Sequence, residues 1–444
     1  MGYLAYFNIV KSREIINSPY NVRLDYMADR VVRGKILDKD GNVLAKTDVA
    51  EDGTETRVYP YGSLYAHVIG YDSHGKSGLE SKENFNLLTS NVFFGEQIAN
   101  EFQEKKNLGD NVITTLDTNL QQVAYNALGD YKGAVVVMEV STGKILTMVS
   151  KPDFDPNFVS EEWDNLTTHA DSVLLNRATQ GAYAPGSVFK LVTTLAYMRQ
   201  YKNYPEFQYE CEGEIQYENT TIHCAKEKVH GEEDLSTSFA NSCNASYSEI
   251  GLNLNFEKYK KTTKDLLFDT KLPSVLPYTG SKFQLKKDSS SAEIMMTAIG
   301  QGKTQVSPYH MTLLASAVAN GGVLMKPYLV DEIVNAHGGT VKKYMPKKYD
   351  TLMTLNEAAQ LSEYMQAVVE RGTAWELYND VYTVAGKTGT AEYSSDKETA
   401  HSWFMGFTNV DNPDIAISVV VESADNSGMS AVAVAKQVLD SYYQ

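Results

Sequence analysis

The sequence predicts an α+β fold, with an antiparallel sheet flanked by helices behind a small β-rich N-terminal domain. Three observations carry this. The apolar runs Val135–Val140 and Ile145–Val149 are separated by Ser141-Thr142-Gly143-Lys144, which reads as a hairpin turn. Two further strand-like runs, Ser402–Thr408 and Ile415–Val421, meet at Asp411-Asn412-Pro413-Asp414, a strong turn signal. Between the pairs, Pro185-Gly186 opens a long apolar segment, Val188–Met198, that reads as a loop entering a buried helix.

Taken along the chain, Met1–Val10 is apolar but stops at Lys11, well short of the ~20 residues that cross a bilayer. Residues 11–115 are strand-like and glycine-punctuated, and are expected to form a non-catalytic pedestal domain. Residues 116–444 then form the main domain. Its expected sheet comprises Gly133–Val140, Lys144–Ser150, a strand carrying Lys387 that follows Val381-Tyr382-Thr383-Val384, Ser402–Thr408 and Ile415–Val421. Helices are expected from Ser187 and over Ser238–Gly251, where Phe239, Tyr247 and Ile250 suggest one apolar face, and Ala431–Tyr442 reads as a closing amphipathic helix. A length of 444 residues suits two or three domains, and 43% apolar content suits sizeable cores. The net charge of −16, with no basic run, argues against nucleic acid as a partner.

Three short motifs occur in a fixed order: Ser187-Val188-Phe189-Lys190, Ser242-Cys243-Asn244 and Lys387-Thr388-Gly389-Thr390. Together they supply a hydroxyl nucleophile beside a lysine, a second hydroxyl with an amide, and a cationic strand edge. That is the kit for acyl transfer through a covalent serine intermediate. Ser-x-x-Lys also occurs at Ser73/Lys76, Ser141/Lys144 and Ser394/Lys397, all in polar or turn-rich stretches. Only Ser187 stands at the first turn of an apolar helix, with Lys190 on its face and free N–H groups at the helix start. Read alone, Ser187 could be a cap, Ser242 and Asn244 a polar helix start, and Lys387 a solvated edge.

Cys211 and Cys224 lie in a polar, turn-rich stretch and could form a disulfide, contributing about 3 kcal/mol. Cys211, His223, Cys224 and His230 can also be drawn as a zinc set, although the spacing matches no common finger. Cys243 reads as a small buried packing residue. The other histidines are scattered and support no Ser-His-Asp triad.

The ordered motifs resemble the penicillin-recognising serine acyltransferases, and more closely the class B penicillin-binding proteins, which are monofunctional peptidoglycan D,D-transpeptidases. The resemblance spans roughly residues 30 to 421. Arg33-Gly34-Lys35-Ile36 with Asp40-Gly41-Asn42-Val43-Leu44-Ala45 is similar to the family's opening strand pair. Arg57-Val58-Tyr59-Pro60, His67-Val68-Ile69-Gly70 and Gly78-Leu79-Glu80 resemble its membrane-proximal region. Thr115-Leu116-Asp117 through Gln121-Gln122 resembles the junction, and Gly133–Ser150 followed by Phe154-Asp155-Pro156-Asn157 the first hairpin. Gly300-Gln301-Gly302 with Ser307-Pro308, and His401-Ser402-Trp403-Phe404, also fit.

The resemblance implies a penicillin-binding transpeptidase domain with an all-helical subregion. It implies Ser187 as nucleophile, Lys190 as a base made neutral by burial and by Lys387, and Ser242 as proton relay. Asn244 would hold the substrate backbone. Lys387, Thr388, Gly389 and Thr390 would bind the terminal carboxylate and peptide, and the N–H groups of Ser187 and Thr390 would form the oxyanion hole. The substrates implied are peptidoglycan stem peptides, with β-lactam antibiotics as mimics and no metal or organic cofactor. Family members carry one N-terminal signal anchor, so residues 1–10 are expected to be its trailing end, with the catalytic domain outside the cytoplasm. About 115 N-terminal residues hold no glycosyltransferase, so a polytopic membrane glycosyltransferase partner is expected. The rival readings are a D,D-carboxypeptidase and a non-catalytic β-lactam-binding scaffold or sensor. Glu249-Ile250-Gly251-Leu252-Asn253 superficially matches a β-lactamase motif, but follows Asn244 too closely and reads as a decoy.

Overall fold

In the computed structural model, residues 22–392, 400–424 and 429–444 are described. The apolar runs that read as hairpins become the centre of a five-stranded antiparallel sheet. Its strands are β1 (Gly133–Glu139), β2 (Ile145–Lys151), β3 (Val384–Glu392), β4 (Ala400–Thr408) and β5 (Ile415–Val421), in spatial order β3-β4-β5-β1-β2. Strand β5 is buried along its whole length and β1 along all but its last residue. Their near-continuous apolar runs follow from being covered on both faces. Helices Thr118–Leu128 and Ala431–Tyr442 pack together over the sheet, and the almost wholly buried Pro308–Ala319 packs against β1, β4 and β5. Beyond it lies the helical region, including Lys190–Gln200, Asn244–Asn253 and Leu355–Glu370.

Two expectations are corrected. The helix expected over Ser238–Gly251 is two helices, Leu235–Ala240 and Asn244–Asn253, broken where Ser242 takes φ +56°. The Cys243 sulfur caps the second helix by accepting from Ser246 N at 3.4 Å. Val381–Thr383 also fall outside β3, because Asn379 Oδ1 accepts from the amides of Val381 and Tyr382 at 3.0 Å and turns the chain there.

The N-terminal region holds strands and several short helices, such as Gly78–Lys82 and Phe94–Phe102. Its sheet has six strands, ordered Thr340–Lys343, Val330–Val334, Asn111–Thr114, Ile36–Leu37, Val43–Val49 and Glu55–Val58. Two of these strands come from residues 330–343, so the linear division at 115 is not a division of the sheet. Asn157 adds a two-way clamp between the regions, accepting from Tyr59 N at 2.9 Å and donating to Tyr59 O at 3.0 Å.

Arg33, Arg57 and Glu80, from separate motifs, meet in the interior. Arg33 Nε donates to Glu80 Oε2 and Arg57 Nε to Oε1, each at 2.7 Å, with Glu80 fully buried. Burial alone would raise the Glu80 pKa, but the two guanidiniums hold it below the ordinary carboxylate value. Its contribution to stability is therefore present above the ordinary carboxylate pKa and is lost as pH falls through the depressed one. Glu80→Gln leaves two buried cations uncompensated. Urea unfolding should show a loss of about 3–5 kcal/mol, and a change within ~0.5 kcal/mol, usual for surface sites, would contradict this arrangement.

Candidate active site

Each motif is delivered by a different element. Ser187 lies in a 3-10 turn, Gly186–Phe189, that runs into helix Lys190–Gln200. Gly186 has φ +54°, and a Cβ there would stand 2.4 Å from Thr390 O. Only glycine lets the serine turn press this closely against β3. Gly300 performs the same service one layer away, where a Cβ would meet Gly186 O at 1.8 Å. The turn is fixed by Gly186 N donating to Gly300 O at 2.9 Å and by Trp403 Nε1 donating to Ala184 O at 3.2 Å.

Lys190 is the meeting point. Its fully buried nitrogen lies within hydrogen-bond distance of Ser187 Oγ at 3.1 Å, Ser242 O at 2.6 Å, Ser242 Oγ at 3.1 Å and Asn244 Oδ1 at 2.8 Å. An amine has two hydrogens and one lone pair. With the hydrogens on Ser242 O and Asn244 Oδ1, the lone pair is left for a serine hydroxyl. The left-handed turn at Ser242 lets this residue offer both its carbonyl and its hydroxyl to one nitrogen, a strained conformation of the kind that gathers at functional sites.

Lys387, on edge strand β3, is fully buried rather than solvated, and donates to Ser242 Oγ at 3.0 Å and Thr388 O at 3.1 Å. The Ser242 hydroxyl thus bridges two lysines. Aromatic faces lie below them, with Lys190 Nζ 5.3 Å from the Tyr247 ring centre and Lys387 Nζ 5.6 Å from that of Phe239. Burial lowers the Lys190 pKa to about 8, partly opposed by Cys243, Cys224 and Glu233. Burial, then repulsion from Lys190, pushes Lys387 well below the ordinary lysine value. The expected effect of Lys387 on Lys190 thus appears on Lys387 instead. The cause is common to both: two ammoniums sharing one hydroxyl in a desolvated site disfavour each other.

Ser187, Ser242 and Asn244 are half-buried around this floor, and Thr388, Gly389 and Thr390 continue along β3 beside it. Two contacts were not singled out from sequence. Thr373 Oγ1 is 2.6 Å from Thr388 Oγ1, and Gln301 Nε2 donates to Thr390 O at 3.3 Å. Gly300-Gln301-Gly302 figured only in the family resemblance, without a role for Gln301, and Gly372-Thr373 after a helix reads only as a terminating turn. The other Ser-x-x-Lys pairs stay apart. Ser141/Lys144 forms the β1–β2 turn, Lys76 Nζ donates to Asp72 O at 2.6 Å, and Ser394/Lys397 lies outside the described residues.

The cysteine expectations also change. In this structure Cys211, Cys224 and Cys243 are free thiols, and the Cys211 and Cys224 sulfurs stand 3.7 Å apart. His223 points to Glu214 at 3.0 Å and leaves the drawn zinc set, whereas Cys243 joins the other two cysteines.

Residues 133–440 match the family described as "Penicillin binding protein transpeptidase domain", and residues 33–112 match "Penicillin binding protein A dimerisation domain". This chain belongs to the class B penicillin-binding proteins. Peptidoglycan D,D-transpeptidase PbpA of Mycolicibacterium smegmatis is 32% identical over 417 residues, covering 88% of this chain and 84% of that protein. The imipenem acyl-enzyme of penicillin-binding protein A from M. tuberculosis superposes with TM-score 0.84 at 27% identity, covering 94% of this chain and 100% of that one. A D,D-transpeptidase domain from Eggerthella lenta gives TM-score 0.83 at 29% identity, covering 93% and 98%. In this penicillin-binding protein the decoy Glu249 sits on the Asn244 helix and accepts from Asn253 Nδ2 at 2.9 Å, bonded into its own helix end.

A base of pKa about 8 makes acylation pH-dependent. Acylation by a fluorescent penicillin should rise up to tenfold per pH unit below 8, then level off above it. A profile flat from pH 6 to 8 would contradict a lysine base. Ser242→Gly should keep the left-handed turn yet slow acylation by about 10²–10⁴-fold, the usual worth of proton transfer. Acylation at the wild-type rate would remove the relay role.

Proposed function

We propose that this protein is a peptidoglycan D,D-transpeptidase working through Ser187. One observation carries the reading: a single buried lysine nitrogen within hydrogen-bond reach of Ser187 Oγ, Ser242 Oγ and Asn244 Oδ1. The neutral Lys190 amine takes the Ser187 proton as Oγ attacks the carbonyl between two D-alanines of a stem peptide. The oxyanion forms between the N–H groups of Ser187 and Thr390, each such donor being worth on the order of 10²–10³ in rate. Ser242, bridged to Lys190 and Lys387, passes a proton to the leaving amine, and the terminal D-alanine departs. An amine from a neighbouring stem peptide attacks the acyl-enzyme, losing its proton back through the same relay and freeing Ser187. Asn244 orients the peptide backbone, while Lys387, Thr388, Gly389 and Thr390 receive the terminal carboxylate and the strand-like peptide. A β-lactam enters the same path and stays on Ser187.

The setting follows from the substrate. The catalytic domain acts outside the cytoplasm, held at the cell membrane by a single N-terminal anchor, with residues 11–115 as an interaction pedestal and 116–444 as the transpeptidase domain. Glycan strands come from a polytopic membrane glycosyltransferase. Among the described residues no helix is long and apolar enough to cross a membrane, and residues 1–10 lie outside them.

The test is incubation with a stem pentapeptide ending in D-Ala-D-Ala plus a D-amino acid acceptor, followed by chromatography of the products. Release of D-alanine with formation of the exchange product is expected, and neither with Ser187→Ala. Release with only the hydrolysed tetrapeptide would make the enzyme a D,D-carboxypeptidase. No release by folded wild type would overturn the catalytic reading.

A further inference from the structure

The three cysteines of this chain, far apart in sequence, converge with one histidine. Cys211 ends strand Tyr209–Cys211, Cys224 follows strand Thr220–His223, and His230 precedes strand Gly231–Glu233. Cys243 is the middle residue of the Ser242-Cys243-Asn244 motif. Their ligand atoms all lie within 4.8 Å of one another, and all three cysteines are buried. Sulfur separations are 3.7 Å for Cys211–Cys224, 3.7 Å for Cys224–Cys243 and 3.4 Å for Cys243–Cys211, and His230 Nδ1 is 3.4 Å from Cys211 Sγ.

These spacings have a chemical meaning. A tetrahedral zinc with Zn–S near ~2.3 Å and Zn–N near ~2.0 Å holds sulfurs about 3.8 Å apart and sulfur from nitrogen about 3.5 Å. The four sulfur–sulfur and sulfur–nitrogen separations above are close to the edges of such a tetrahedron, slightly contracted, and the other two, from His230 to Cys224 and Cys243, lie within 4.8 Å. A Cys211–Cys224 disulfide needs sulfurs at ~2.05 Å, and it leaves the third thiol and the imidazole without a purpose. We propose that Cys211, Cys224, His230 and Cys243 form a closed structural Zn²⁺ site.

The donor set selects the metal. Thiolates and imidazole suit zinc, while calcium and magnesium need oxygen. Four protein ligands leave no open position, so the metal holds structure and performs no hydrolysis. Binding releases three thiol protons, so three thiolates, one neutral imidazole and Zn²⁺ carry a net charge of minus one. The surroundings suit thiolates. Ser246 N donates to Cys243 Sγ at 3.4 Å at the start of a ten-residue helix.

The location gives the site its use. The strands between residues 209 and 233 are three or four residues long; Ile222 and Ile215 reach the main core, while Cys211, Cys224, Cys243 and Ala245 form a small cluster of their own with Tyr209 and Ile215 packed on it. With so few apolar anchors, the strand ends that carry the cysteines and His230 gain most from a cross-link. A metal drawing ligands from three strand ends and from the Ser242–Asn244 turn cross-links them. It thereby fixes the left-handed Ser242 and the Asn244 side chain, which also donates to His223 O at 3.0 Å.

The test is metal analysis of the whole protein, purified without chelators and under reducing conditions, alongside cobalt replacement. About one zinc per chain is expected, lost in Cys211→Ser and in His230→Ala. The Co²⁺ form of the wild type should show thiolate-to-cobalt charge-transfer absorption and the visible bands of a tetrahedral centre; this readout survives even if a variant fails to fold. Chelation should slow acylation by a fluorescent penicillin, with zinc restoring it. Metal content is read independently of acylation, so failure of the metal site and failure of the transpeptidase reading are distinguishable. A metal-free protein with three titratable thiols that binds neither Zn²⁺ nor Co²⁺ would overturn the proposal. So would a Cys211–Cys224 disulfide in a peptide mass map, or zinc retained undiminished by folded His230→Ala.

Discussion

The site depends on one buried cation. Lys190 lies beneath Ser187 with its ammonium wholly desolvated, and its compensation comes from four hydrogen-bond acceptors on three residues. An uncompensated buried ammonium neutralises or breaks the fold. Here the acceptors belong to the groups that would carry out acyl transfer, so what keeps Lys190 inside also assembles the site. The same desolvation lowers its pKa to about 8, where a useful fraction is neutral near physiological pH.

The rest of the structure brings those partners to one point. The sheet places β3 at an edge, so Lys387 can turn inward while Thr390 stays exposed beside the serine. The serine turn reaches that edge because Gly186 and Gly300 lack side chains at two backbone contacts. The break between two helices presents the carbonyl and hydroxyl of Ser242 together. The Arg33–Glu80–Arg57 cluster ties the N-terminal region together from within, and the Asn157 clamp fastens it to the catalytic region. A six-stranded sheet that adds two strands from residues 330–343 to four from residues 36–114 makes that junction continuous.

Much of this was legible in the sequence, where local pattern and final environment agree. β1, β2, β4 and β5 are largely apolar runs, and Ala431–Tyr442 is amphipathic at helical period; each is found within two residues of where it was read. The order of the three motifs likewise marked residues that meet in space. Legibility failed where a long-range contact outweighed local propensity. The apolar face of Phe239, Tyr247 and Ile250 implied one helix, but service to Lys190 and the cysteine cluster requires a break at Ser242. His223 and Cys243 could not be ranked as ligands, because the hairpins of residues 209–233 decide which side chain points inward. Thr373 gave no signal, since its partner Thr388 is reached only through packing of Leu355–Glu370 on β3.

The central claim is that Lys190 and its partners make Ser187 a nucleophile, and intact-protein mass spectrometry after exposure to a β-lactam tests it most directly. Wild-type protein should gain the mass of one β-lactam, and Ser187→Ala should gain none while remaining folded. An unmodified wild type, or an adduct that persists in Ser187→Ala, would contradict the account.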